Sequence, residues 1–138
     1  TRADMRGWLA AHYEHEPRVS VDTSPDPYYC VEHGDTSLFV HHGHLKKMPE
    51  VEQAFIAKFR DVYGRTKSSY GHVGHLHHKV AQESSLMTVE QHQTLAAQDA
   101  FASRHGYSAE RSAQVITYHR EHGEVGRVRL TPEMVQAA

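Results

Sequence analysis

With 138 residues, 38% of them apolar and 23% charged, the chain has material for one modest hydrophobic core. A net charge of −2 at pH 7 excludes the strongly basic surface with which a protein recognises nucleic acid through its phosphates alone. One cysteine, Cys30, excludes an internal disulfide framework and fits a reducing cytoplasm, and no apolar run approaches the roughly 20 residues of a membrane span. The expectation is a soluble, cytoplasmic chain with a single domain over residues 1–138 and no membrane partner.

In chain order, Met5, Trp8, Leu9 and His12 fall at helical spacing, which predicts a short amphipathic helix over residues 3–14 with Trp8 in the core. Arg18 to Asp22 alternates as a strand does, and Ser24-Pro25-Asp26-Pro27 breaks it. Tyr28 to His33 and Ser37 to His42 flank Gly34-Asp35-Thr36, the pattern of a β-hairpin, with His33 near the turn and solvated. From Pro49 the period changes: Val51, Phe55, Ile56, Phe59 and Val62 predict one helix, stopped by Gly64. Residues 70–82 and 85–95 read as two more strands, and Ala96 to His105 as a short helix ended by Gly106. After a loop over 108–112, residues 113–119 and 125–130 around Gly123 read as a closing hairpin. Together these elements predict an α+β fold with a mixed or antiparallel sheet and flanking helices.

The histidines carry the functional signal. Seven of the fourteen lie in two windows, His41 to His44 and His72 to His78, which together hold only eleven residues. Imidazole is the commonest neutral ligand for Zn, Mn, Fe and Ni, and histidines two apart on a strand project from the same face. His75 and His77 are such a pair, and His42 is the leading ligand of the first window. Alternation sets His41 on the face opposite His42, with His44 on the His42 side, and sets His78 away from His77. For His72 a supporting role and a surface position remain open. Gly43 and Gly74 allow a metal or phosphate to approach the backbone. Each window follows an apolar β-type run, and a helical segment separates the two, so neighbouring strands of one sheet should bring them together.

The run Gly74-His75-Leu76-His77, preceded by Phe39-Val40-His41-His42-Gly43-His44, resembles the last two blocks of the calcineurin-like metallophosphoesterase family in its phage and bacterial form. The resemblance covers roughly residues 1–135. It implies that His42 and His75 bind the second metal of a dinuclear site and His77 the first, with Mn as the expected ion and Fe, Zn or Ni as alternatives. It also implies a phosphoester substrate, nucleic acid among the candidates, and a fold equal to half of an α/β/β/α sandwich. The family's opening Asp-x-His, Gly-Asp and Gly-Asn-His-Asp blocks are not in this sequence, which therefore resembles the carboxy-terminal half and, beginning at Thr1, reads as a fragment or processed form. Half of a sandwich would expose an apolar sheet face and invite self-association.

In a complete site, two metals about 3.5 to 4 Å apart would grip the phosphate and acidify a bridging water. Three histidines without a carboxylate should hold one ion at most. Two further readings are therefore carried: a non-catalytic, histidine-rich module that binds a metal or a protein, and a one-metal nuclease.

Overall fold

The computed structural model describes residues 2–43, 47–74, 79–95 and 111–136. The two alternating segments at Tyr28–His33 and Thr36–His41 are strands β1 and β2, joined antiparallel through the Gly34–Asp35 turn. Two helices, α2 (Met48–Lys58) and α3 (Arg60–Arg65), then carry the chain to β3 (Ser68–Val73), which pairs parallel with β2. Parallel neighbours need such a crossover, because a tight turn can only reverse the chain. Strands β4 (Val80–Glu83) and β5 (Thr88–Gln91) are antiparallel to each other, and β5 adds parallel to β3. The result is a mixed sheet in the order β1-β2-β3-β5-β4. A separate two-stranded sheet, β6 (Ala113–His119) with β7 (Gly123–Leu130), follows. Helices α1 (Arg2–His12) and α4 (Pro132–Gln136) stand at the two ends of the described chain. The fold is thus α+β with a mixed sheet.

The core lies between the sheet and α2. Phe39, Val51, Phe55, Val73, Met87 and Val89 are buried together, and Phe39 stacks on Phe55 with ring centroids 5.5 Å apart. Gly71 of β3 lies directly under the Phe55 ring, where a Cβ would come within 2.9 Å of it. Strand alternation sends Tyr70, His72 and Glu90 to the other face. That face is partly roofed by the β6–β7 hairpin: Tyr70 contacts Tyr118 at 4.9 Å, and the Glu124 N–H donates to the Tyr70 hydroxyl at 3.0 Å. Thr36 donates to the His119 carbonyl at 2.8 Å and fixes the same, turn end of the hairpin.

Several sequence expectations need correction. Trp8 is 62% exposed and stacks on His12, because α1 touches the remainder mainly through Arg6, which donates to the Ser24 carbonyl and the Tyr29 hydroxyl. Residues 18–22 form no strand. No neighbouring strand pairs with them, and Glu16 and Asp22 satisfy nearby backbone N–H groups of Arg18 and Ser24 instead. The helix expected from Pro49 to Gly64 is broken at Phe59, whose backbone (φ −117°, ψ 43°) leaves helical geometry while its ring packs on Phe39 at 5.8 Å. Gly64 lies inside α3 rather than ending it. The single strand expected over 70–82 is two, β3 ending at Val73 and β4 beginning at Val80. The strand expected over 85–95 narrows to Thr88–Gln91. The helix expected over 96–105 lies outside the described residues. Among the described residues no helix is long and apolar enough to cross a membrane.

Candidate metal centre

Three parallel strands, β2, β3 and β5, end along the same edge of the sheet. Their carboxyl ends carry His41-His42-Gly43, Val73-Gly74 and Gln91-His92. In open sheets with parallel strands this edge is where ligands ordinarily bind, since the chain leaves it through loops free to present side chains. The described parts of the two histidine windows, residues 41–43 and 72–74, are therefore neighbours: the Gly74 N–H donates to the His42 carbonyl at 3.2 Å. Gly43 has φ +90°, and a Cβ there would stand 3.0 Å from the Gly74 carbonyl oxygen. Only glycine lets the first turn pass so close to the second.

Of the three expected ligands, His42 is half-buried at this edge, while His75 and His77 lie outside the described residues, as do His44 and His78. His41 has a structural place. It is buried, stacks on Tyr28 at 4.3 Å, and accepts the Gly43 N–H on Nδ1 at 2.9 Å. That contact holds the turn in which His42 sits.

A second constellation, which the sequence reading did not assemble, lies beneath the hairpin. His72 and Glu90 are directly opposite in the β3–β5 register, and His92 follows two residues on. His72 Nδ1 stands 2.8 Å from His92 Nε2, and His72 Nε2 stands 2.8 Å from the Tyr118 hydroxyl. Glu90, only 4% exposed, accepts from Arg127 at 2.5 Å. Arg127 also forks onto Glu124, at 2.9 and 3.0 Å, and donates to Gln114 at 2.7 Å.

The electrostatics follow from this burial. Desolvation, helped by the facing His92 and by Arg127, lowers the His72 pKa to about 4 against the opposing pull of Glu90 and Glu124. Burial likewise lowers His92. Both rings are neutral at pH 7, the state that ligates metal. Burial acts to raise Glu90, but the Arg127 guanidinium outweighs it and holds the carboxyl below its usual range. Burial pushes the Tyr118 phenol up, so it stays protonated.

One nitrogen of each imidazole and a Glu90 oxygen all lie within 4.8 Å of one another, so His72, Glu90 and His92 could together bind a metal ion. The signal was present in the strand pattern. Glu90 and His92 are two apart, as are Tyr70 and His72, and each pair shares a face on strands whose alternate positions are Val89 or Gly71. Polar residues repeated on one face of a central strand need partners across the sheet.

No known protein-family model matches the chain, and no curated protein matches it.

Proposed function

We propose that this chain carries the histidine-rich half of a dinuclear metal-dependent phosphoester hydrolase, with His42 and His75 as ligands of one ion and His77 as a ligand of the other. The reading is supported by one observation above all. His42 and Gly43 after β2 lie beside Gly74 after β3 at the carboxyl edge of parallel strands, tied by the Gly74-to-His42 hydrogen bond of 3.2 Å. That arrangement suits the strand-His-Gly and Gly-His-x-His pattern of the calcineurin-like metallophosphoesterases, and the mixed sheet is compatible with half of their sandwich.

The fit of the described residues to an ion rests on Gly43, whose absent side chain lets the two turns meet backbone to backbone. A divalent ion, Mn first among Mn, Fe, Zn and Ni, supplies Lewis-acid polarisation of a phosphoryl oxygen and a water acidic enough to attack near neutral pH. This chain's own contribution is to hold the ligands: His41 braces the first turn through its bond to the Gly43 N–H, and the sheet register sets its spacing from the second. The substrate is a phosphoester, with nucleic acid among the candidates, and a cytoplasmic setting fits the lone Cys30. The uncovered part of the sheet face would mate with the other half of the sandwich or with another copy.

The test is hydrolysis of bis(p-nitrophenyl) phosphate by the purified chain with added Mn, beside His42→Ala and His75→Ala. Mn uptake that falls in both variants, without turnover by this half-site alone, is the expected result. Uptake that neither variant reduces, or no uptake at all, sinks the proposal. Turnover by the chain alone would mean that it completes its own site, and no turnover once the family's opening blocks are supplied would favour a non-catalytic metal-binding module.

A further inference from the structure

We propose that His72, Glu90 and His92 form a metal centre of their own, a two-histidine, one-carboxylate site for a six-coordinate divalent ion of the Mn or Fe class. It uses none of the residues of the phosphoesterase reading and does not depend on it.

The convergence of three ligand atoms carries the argument: one nitrogen of each imidazole and a Glu90 oxygen lie within 4.8 Å of one another. His72 Nδ1 and His92 Nε2 share a hydrogen bond of 2.8 Å, and a bound ion would take the place of the proton between them. Two neutral histidines and one carboxylate on one side of an octahedral ion leave the opposite positions open, a set characteristic of oxygen-loving first-row ions.

The surroundings suit that assignment. For Nδ1 to ligate, His72 must carry its proton on Nε2, and Nε2 has the Tyr118 hydroxyl 2.8 Å away to accept it. A bond from the outer nitrogen to a fixed oxygen is what orients metal-bound histidines. The carboxylate is available as well. Arg127, which holds one Glu90 oxygen, keeps Glu124 and Gln114 as partners, so Glu90 can turn towards the ion without stranding the guanidinium.

There is also a way in. A cavity of about 300 Å³ opens onto His72 and His92 between β5 and β6, lined further by Gln93, Ser112, Gln114 and Ile116. Its amide and hydroxyl groups can hold waters in the open coordination positions. Because Tyr118 belongs to the hairpin and His72 to the main sheet, the Tyr118 contact on His72 Nε2 would couple bound metal to docking of the hairpin.

The experiment is Mn(II) titration followed by electron paramagnetic resonance on a His42→Ala/His77→Ala chain, and on the same chain with His92→Ala added. The first should still bind one ion, and the second should lose at least tenfold in affinity. As a check that needs no substitution, substoichiometric Mn(II) added to the wild-type chain should broaden the His72 and His92 ring-proton signals. Binding unaffected by His92→Ala, or broadening that spares both rings, overturns the site. Loss of phosphodiester hydrolysis in His42→Ala alone bears on the other reading and leaves this one standing.

Discussion

Arg127 reaches from the β6–β7 hairpin to Glu90 on β5, an interior strand of the main sheet, and bonds to it at 2.5 Å, joining the two sheets through a carboxylate that is 4% exposed. Removing one member of such a pair leaves the other desolvated and unpaired, at a cost of about 3 kcal/mol. Arg127→Met should therefore lower stability to urea by about that amount, whereas Glu90→Gln in the same background should add little further loss. A double-mutant cycle by chemical denaturation measures the coupling. Additive effects would mean that the contact contributes nothing to docking of the hairpin.

His72 makes stability depend on pH in a definite direction. Its folded pKa is about 4, below the ordinary 6.5, so between those values the unfolded chain binds more protons than the folded one. The stability due to its neutral state is complete above about pH 6.5 and drains away as pH falls towards 4. In the presence of a chelator, going from pH 7 to pH 5 should cost about 2 kcal/mol from this residue. His92, lowered in the same direction, adds to the loss. A His72→Phe chain should show a flatter profile over that interval, and an unchanged slope in urea titrations would contradict the assignment.

The hairpin also depends on Gly123. Its φ is +70°, and a Cβ there would collide with the Tyr70 hydroxyl, the group that accepts the Glu124 N–H at 3.0 Å. Gly123→Ala should cost at least about 1 to 2 kcal/mol from the left-handed backbone alone. Hydrogen exchange should show it as faster opening of β6 and β7, with β2 and β3 less affected. Uniform loss of protection across both sheets would mean that the hairpin and the main sheet unfold together.

How far the sequence could be read follows from the range of the interactions involved. The β1–β2 and β6–β7 hairpins were legible because a local turn and alternation specify them. That β2 and β3 neighbour each other was legible, because a helical stretch separates two apolar runs that lead into histidine windows, but the parallel sense of their pairing came only with the fold. The break at Phe59 was not, since it comes from packing on Phe39, a partner only the fold supplies. Nor was exposure of Trp8: helical spacing says which side of α1 is apolar, not whether anything covers it. Of the His72, Glu90 and His92 group, His72 could not be joined to His92 without the β3–β5 register. Glu90 and His92 gave a partial signal, two polar residues on one face of a central strand, which names a need for partners without naming them.

Gly43, inside the first histidine window, offers a test that separates fold from site. Gly43→Ala must adopt φ near +90° with its Cβ 3.0 Å from the Gly74 carbonyl oxygen. The turn can relieve this only by moving away from Gly74, which stretches the Gly74-to-His42 bond. Strain of this kind costs about 1 to 2 kcal/mol and lies at the exposed end of the strands, so the core around Phe55 should survive. If His42 is a ligand as proposed, metal affinity that depends on it should fall much further, by tenfold or more, because the turn that carries it would move away from Gly74. Calorimetric titration with Mn beside thermal unfolding measures both quantities on one sample. Equal, small losses in both would mean that the close approach of the two turns serves the sheet and not a metal.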